Sequence, residues 1–313
     1  MKSIWDYIHE MLAYKESLGF SRRTYEGYLN DFGRFSENST DTFFSQSIVD
    51  KWCIRRNTET EGAFRRRITA LREFSKYLYA VGESSFVIST DLFPVVHRST
   101  PYIFSDEELL NLFQEADDEK YTARAPGRHL VIATIYKLIY FCGLRPNEGR
   151  ELLTKDVDLK NGTLFIRKNK SHRERLIPMS EDILDICREY HKKISLIYPA
   201  REYFFPSESG RPYSSKWLTE HFLKLWNRSK SPGNISRVRV YDLRHRYATA
   251  VFMKWLDEKE DLYSLLPYLS EYMGHTHLED TAYYIHLLPE KLRKSASIDW
   301  SIFEQLLPEV DYE

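Results

Sequence analysis

The chain has 313 residues, 42% of them apolar, and a formal net charge of −1. That length suits two domains, and that apolar content supports buried cores and excludes general disorder. The near-neutral balance excludes a uniformly basic nucleic-acid binder, no apolar run approaches the ~18 residues of a membrane helix, and Met1-Lys-Ser-Ile-Trp-Asp6 lacks a signal-peptide core.

In chain order, residues 2–18 carry Ile4, Trp5, Ile8, Met11, Leu12 and Tyr14 at helical spacing. Gly19 ends that helix and Ser21 is expected to cap the next, with Tyr25, Tyr28, Leu29, Phe32 and Phe35 as its apolar face. Further helices are expected over Ile48–Ile54 and Phe64–Tyr79, the latter opening with Arg65-Arg66-Arg67. The pattern breaks from Gly82 to Phe104, where Pro94, Ser99, Thr100 and Pro101 read as a linker. Ser105-Asp-Glu-Glu108 is a capping box that starts a new domain. Helices at 105–117 and 127–142 follow, the second apolar nearly all round and so expected in the core. Asn161-Gly162 marks a hairpin between Val157-Asp-Leu159 and Thr163–Ile166, and a second turn leads to Arg175-Leu-Ile-Pro178. Ser180–Ile197, Lys216–Trp226, Tyr241–Trp255 and Leu265–Met273 read as helices. The fold class is thus mainly α, a helical domain followed by a mixed helical domain with a small three-stranded antiparallel sheet.

Charge is uneven along this chain. Lys224 to Arg246 holds seven Lys/Arg against Asp242, and Arg167 to Arg175 holds five against Glu174. Such strips can hold a phosphate backbone, although a solvated face is the alternative for either alone. Cys53, Cys142 and Cys187 form no CxxC pair, so a reduced, cytoplasmic setting is expected.

A phosphodiester under attack gathers negative charge on its non-bridging oxygens, and a guanidinium meets those oxygens in bidentate fashion. Arg145 and Arg244 each stand at a turn-to-helix junction. Tyr284 offers a phenol nucleophile, with Tyr283 beside it as the alternative. His275 can hydrogen-bond a phosphate oxygen, and Lys170, with Lys168 as its alternative, can protonate a departing oxygen. No histidine spacing suggests a metal, and neither metal nor other cofactor is expected.

The set Gly143-Leu-Arg145-Pro-Asn-Glu148, Lys170 with Arg175-Leu-Ile-Pro178, Asp242-Leu-Arg244-His245, Met273-Gly274-His275 and Thr281-Ala-Tyr-Tyr284-Ile-His286 resembles the tyrosine recombinase (phage integrase) family over about residues 100–288. Residues 1–90 resemble that family's core-binding domain more loosely. The resemblance implies Arg145 and Arg244 as a phosphate clamp, Lys170 as general acid, His275 as a phosphate contact, Tyr284 as nucleophile and Glu148 as an orienting residue. One position departs from the family pattern: where it usually has histidine, three residues before the second arginine, this chain has Tyr241. A phenol is a poor general base, so Tyr241 is expected to keep a structural or hydrogen-bonding role.

The expected organisation is a core-binding domain over 1–90, a linker over 91–103, a catalytic domain over 104–288 and a tail over 289–313 for exchange between protomers. Expected DNA contacts are Arg65, Arg66, Arg173, Arg175 and Arg239. The resemblance implies a site-specific recombinase, an integrase of a mobile element, acting on double-stranded DNA as a homotetramer on paired sites. It would lie with the nucleoid of a prokaryote, with no membrane contact and with accessory DNA-bending or directionality proteins as further candidate partners. A type IB topoisomerase and a catalytically impaired DNA-binding relative are the alternatives.

Overall fold

Ser3 starts the first helix, α1 (Ile4–Ser17): its hydroxyl accepts from the Asp6 amide, and the Asp6 carboxylate accepts from the Ser3 amide at 2.7 Å. The computed structural model describes residues 2–38, 43–93, 100–167 and 174–287. The chain divides into two compact units, Met1–Ser99 and Thr100–Glu313.

In the first unit, α1 is followed by α2 (Glu26–Glu37), α3 (Gln46–Trp52) and α4 (Glu61–Ala80) around a core that includes Ile8, Leu12, Leu29, Phe32, Trp52, Leu71 and Phe74. Ser21 does not cap α2 with its side chain. A 3-10 turn, Arg22–Thr24, intervenes and turns Tyr25 into the core, and the Arg22 Nε donates to Glu26 at 2.9 Å. Phe35 is exposed, because the buried stripe of α2 runs through Leu29, Phe32, Gly33 and Ser36. Tyr14 is likewise exposed. The expected break from Gly82 comes later in space: Ile88 is buried, held by the Ser75 hydroxyl and by Arg72 Nε, and Phe86 stacks on Phe44.

Ser105 and Glu108 form their capping box at the start of α5 (Asp106–Asp117), with bonds of 3.1 and 3.0 Å. The apolar α6 (Arg128–Phe141) lies at the centre of the second unit and packs on α5, α8 (Glu181–Ile197) and α10 (Tyr241–Asp257). A short α7 (Pro146–Arg150) leads to the sheet β1 (Val157–Asp158), β2 (Thr163–Ile166) and β3 (Arg175–Pro178), all antiparallel in the order β1-β2-β3. Gly162 turns between β1 and β2 at φ 68, and the Asp158 carboxylate accepts from the Lys160 and Asn161 amides there. After α8 comes α9 (Ser215–Ser229), which packs on α5. A separate apolar cluster joins α10 to α11 (Leu262–Met273) and α12 (Glu279–His286) through Phe252, Leu266, Leu269, Met273, Ala282 and Ile285. Helix α11 begins before the expected Leu265 because Asp261 caps it, accepting from the Tyr263 amide at 3.0 Å. No described helix is long and apolar enough to cross a membrane.

Candidate active site

The last turn of α11 organises the site. Its carbonyls lack helical partners, as at any helix C-terminus, and carry the negative end of the helix dipole. Three arginines from three other segments take them: Arg175 Nε donates to Tyr272 O at 2.8 Å, Arg244 Nη2 to Met273 O at 2.6 Å, and Arg145 Nη2 to Gly274 O at 2.6 Å. Gly274 makes this convergence possible. It adopts φ 64, and a Cβ there would lie 2.9 Å from Arg175 Nη1.

Arg145 is set by the turn after α6. Gly143 closes that helix at φ 56, and Pro146 occupies the first position of α7. Glu148, one turn on, accepts from the Arg145 amide at 2.9 Å and from its Nη1 at 2.8 Å. The same carboxylate receives Arg175 Nη1 and Nη2 at 2.9 and 2.7 Å. Burial alone would raise the Glu148 carboxyl, but hydrogen bonds and charge from Arg175 hold it down at about 2. Glu148 is therefore ionised and orients two arginines.

Arg244 stands in the first turn of α10, which is started by Asp242 accepting from the Arg239 amide at 2.7 Å. The guanidinium is fully buried and gives Nη1 to Gly143 O at 2.6 Å. Nη2 also approaches His275 Nε2 at 3.0 Å. An arginine only donates, so Nε2 is the acceptor, the imidazole proton sits on Nδ1, and Nδ1 donates to Thr281 Oγ1 at 2.7 Å. Burial, then the charges of Arg244, Arg145 and Arg175, pushes His275 down to about 3, so it is neutral. Three guanidinium charges against one carboxylate leave an excess of two positive charges, suited to an anion.

Tyr284 lies on α12 with 2% exposure. Its ring sits between His275, stacked at 6.0 Å between centroids, and His245, tilted at 5.5 Å. Burial raises the phenol above its ordinary value, and the Arg244 and Arg145 charges oppose that rise. Tyr283, half-buried beside it, is 6.3 Å away. Tyr241 is exposed and packs its ring on His245 at 5.0 Å.

The structure thus brings together Arg145, Glu148, Arg244, His275 and Tyr284. Lys170 and Arg173, with the tail from 289, lie outside the described residues. Arg175 was expected to touch DNA, and the structure corrects this: it is buried and engaged by Glu148 and the Tyr272 carbonyl. Arg239 is exposed beside Asp242, and Arg65 and Arg66 are exposed on α4 of the first unit. Sequence reasoning missed His245 as a member of the site, although its spacing of four from Tyr241 on one helix face was a usable signal.

The phage integrase family matches residues 104–291, more than half of the chain. The chain belongs to that family. An integrase/recombinase of Sinorhizobium fredii, y4rB, is 27% identical to this family member over 94% of this chain and 96% of its own length. Two solved structures share the fold. The XerH site-specific recombinase bound to palindromic difH substrate, a post-cleavage complex, matches with a TM-score of 0.66 at 22% identity, covering 90% of this chain and 80% of that one. The Tn1549 transposon integrase in complex with transposon right end DNA also gives 0.66, at 13% identity, covering 97% and 99%.

Proposed function

We propose that this integrase-family protein is a site-specific DNA recombinase that cuts and rejoins DNA through a 3′-phosphotyrosyl link. The observation that carries this reading is the placement of the Tyr284 ring against His275, whose Nε2 meets the buried Arg244. Arg145 and Arg244 neutralise charge on the non-bridging oxygens as the Tyr284 oxygen bonds to phosphorus and the bond to the 5′ oxygen breaks. Among the described residues the buried Arg244 Nε has no acceptor, which leaves a donor for that phosphate. His275, whose Nε2 accepts from Arg244 and whose Nδ1 donates to Thr281, holds the Arg244 guanidinium towards the phosphate, Glu148 holds Arg145, and Lys170 protonates the leaving 5′ oxygen. The covalent link conserves the bond energy, so rejoining is the same step reversed with a 5′-hydroxyl as nucleophile.

Exchange between two duplexes needs a cut in each of four strands, so the acting form is a homotetramer on paired sites. In this reading residues 104–288 carry the chemistry, 1–90 hold DNA through Arg65 and Arg66, 91–103 link them, and 289–313 reach a neighbouring protomer. The protein acts in the cytoplasm at the nucleoid, and DNA-bending or directionality proteins set the direction.

The test is covalent trapping on nicked DNA from the ends of the gene's own element, which loses the 5′-hydroxyl strand after cleavage. Wild type and Tyr283→Phe form a protein–DNA adduct on a denaturing gel, and Tyr284→Phe forms none. DNA binding without adduct from wild type would make the chain a DNA-binding relative. Supercoil relaxation without recombinant products would make it a topoisomerase.

A further inference from the structure

The family's usual histidine before the second arginine is Tyr241 here, and the structure shows what stands in the space between that residue and the nucleophile. Tyr241 and His245 share one face of α10, and the His245 ring lies between Tyr241 at 5.0 Å and Tyr284 at 5.5 Å. His275 also lies against Tyr284, so successive ring contacts link a column of four: Tyr241, His245, Tyr284, His275.

Two polar atoms on consecutive residues of α10 are buried without hydrogen-bond partners among the described residues: Arg244 Nε, a donor, and His245 Nδ1 in the column itself. A buried polar atom without a partner is costly and marks a place where a further group completes the bonding. These two fit the two halves of the reaction. The donor suits an oxygen of the phosphodiester, and the imidazole nitrogen suits the hydrogen of the attacking phenol.

We propose that His245 is a positioning residue for Tyr284: its ring fixes the nucleophile's ring, and its Nδ1 accepts the phenolic hydrogen bond that aims the oxygen at phosphorus. This inference rests on the recombinase reading above. Burial, then the charges of Arg239 and Arg244, holds His245 down at about 3, so the imidazole is neutral and one of its nitrogens is an acceptor. Tyr241, at the outer end of the column, backs the imidazole with its ring and leaves the acceptor role to it. A histidine in place of Tyr241 would supply a second acceptor and make the His245 nitrogen less necessary.

The experiment measures the rate of adduct formation on the nicked DNA at saturating protein, with affinity for the same DNA measured separately by fluorescence anisotropy. His245→Phe keeps a ring and removes the nitrogen, and His245→Asn keeps an acceptor near Nδ1 and removes the ring. Each slows cleavage by about 10-fold, with affinity changed less than about twofold. In a Tyr241→His background, His245→Phe slows cleavage by less than about threefold, since the two positions are coupled. Wild-type rate for His245→Phe, or equal slowing in both backgrounds, overturns the proposal. If the Phe variant fails to fold by urea unfolding, His245→Leu, which also removes the nitrogen, carries the same comparison in the two backgrounds. An absence of adduct from wild type defeats the recombinase reading itself, and this inference with it.

Discussion

Arg175 and Glu148 meet through two parallel hydrogen bonds of 2.9 and 2.7 Å, with side-chain exposures of only 5% and 2%. The Glu148 carboxyl, which burial would raise, is instead held at about 2, below its ordinary 4.5. A carboxylate with a depressed value stabilises the fold fully above the unfolded value and loses that contribution as pH falls through the folded one. The contribution is therefore complete above pH 4.5 and gone near pH 2. Its size is on the order of 3 kcal/mol. Glu148→Gln, which leaves two arginines without their carboxylate, should cost roughly that much in urea unfolding at pH 7 and flatten the acid limb. Unchanged stability at pH 7 would contradict the pairing.

His275 sets a second window at higher pH. Its folded value near 3 lies below the ordinary 6.5, so unfolding takes up a proton as pH falls from 6.5 towards 3. Stability is full above pH 6.5 and falls below it, with a slope of up to about 1.4 kcal/mol per pH unit from this one group. Urea unfolding of His275→Gln between pH 7 and pH 5 should show a shallower slope than wild type. An identical slope would mean that the imidazole is not held neutral.

Three successive arginines on α4 should behave in two different ways. Arg67 is 1% exposed and gives Nε and Nη2 to Glu59 at 2.7 and 2.8 Å, with its guanidinium 4.5 Å from the Trp52 ring centre. Arg67→Ala should destabilise by about 3–5 kcal/mol, because it strands Glu59 and the Trp52 and Ile54 carbonyls. Arg65→Ala and Arg66→Ala should leave the unfolding midpoint alone and weaken DNA binding. Each should reduce the slope of log affinity against log salt by about 1. A salt slope untouched by either would remove them from the DNA contacts.

Gly274 and Gly233 separate backbone strain from site geometry. Both adopt positive φ, 64 and 83, but a Cβ at Gly274 meets Arg175 at 2.9 Å and one at Gly233 meets nothing within 4 Å. Gly233→Ala should cost about 1 kcal/mol and leave cleavage unchanged. Gly274→Ala should cost about 2 kcal/mol and slow adduct formation by at least about 10-fold, as Arg175 and then Glu148 shift. Equal cleavage by the two variants would argue against the mooring of the arginines on α11.

Local signals carried much of this architecture into the sequence. The apolar run of α6, the Asn161-Gly162 turn and the Ser105–Glu108 box each act within a few residues, so their outcome is readable before any packing is known. The arginines, His275 and Tyr284 were legible as a set of motifs. Arg175 was not, because its strand inverts the hydrophobic order: Leu176 is 61% exposed while Arg175 is buried. Glu148 and the Tyr272 carbonyl, both distant in sequence, make that register favourable. Arg67 is hidden for the same reason, behind Glu59. His245 has Tyr241 one turn away on its own helix, but it meets Tyr284 only when α12 docks on α10, a contact with no local signature.

The carbonyls that end α11 moor three arginines, and the chain leaves that mooring directly for α12 and Tyr284. The stretch from Gly274 to Tyr284 thus works as a ruler whose zero mark is the arginine cluster itself. A residue gained or lost along this ruler would rotate Tyr284 out of the ring column while the arginines stayed in place, and under the proposed role of Tyr284 such a protein would hold DNA and fail to cut it.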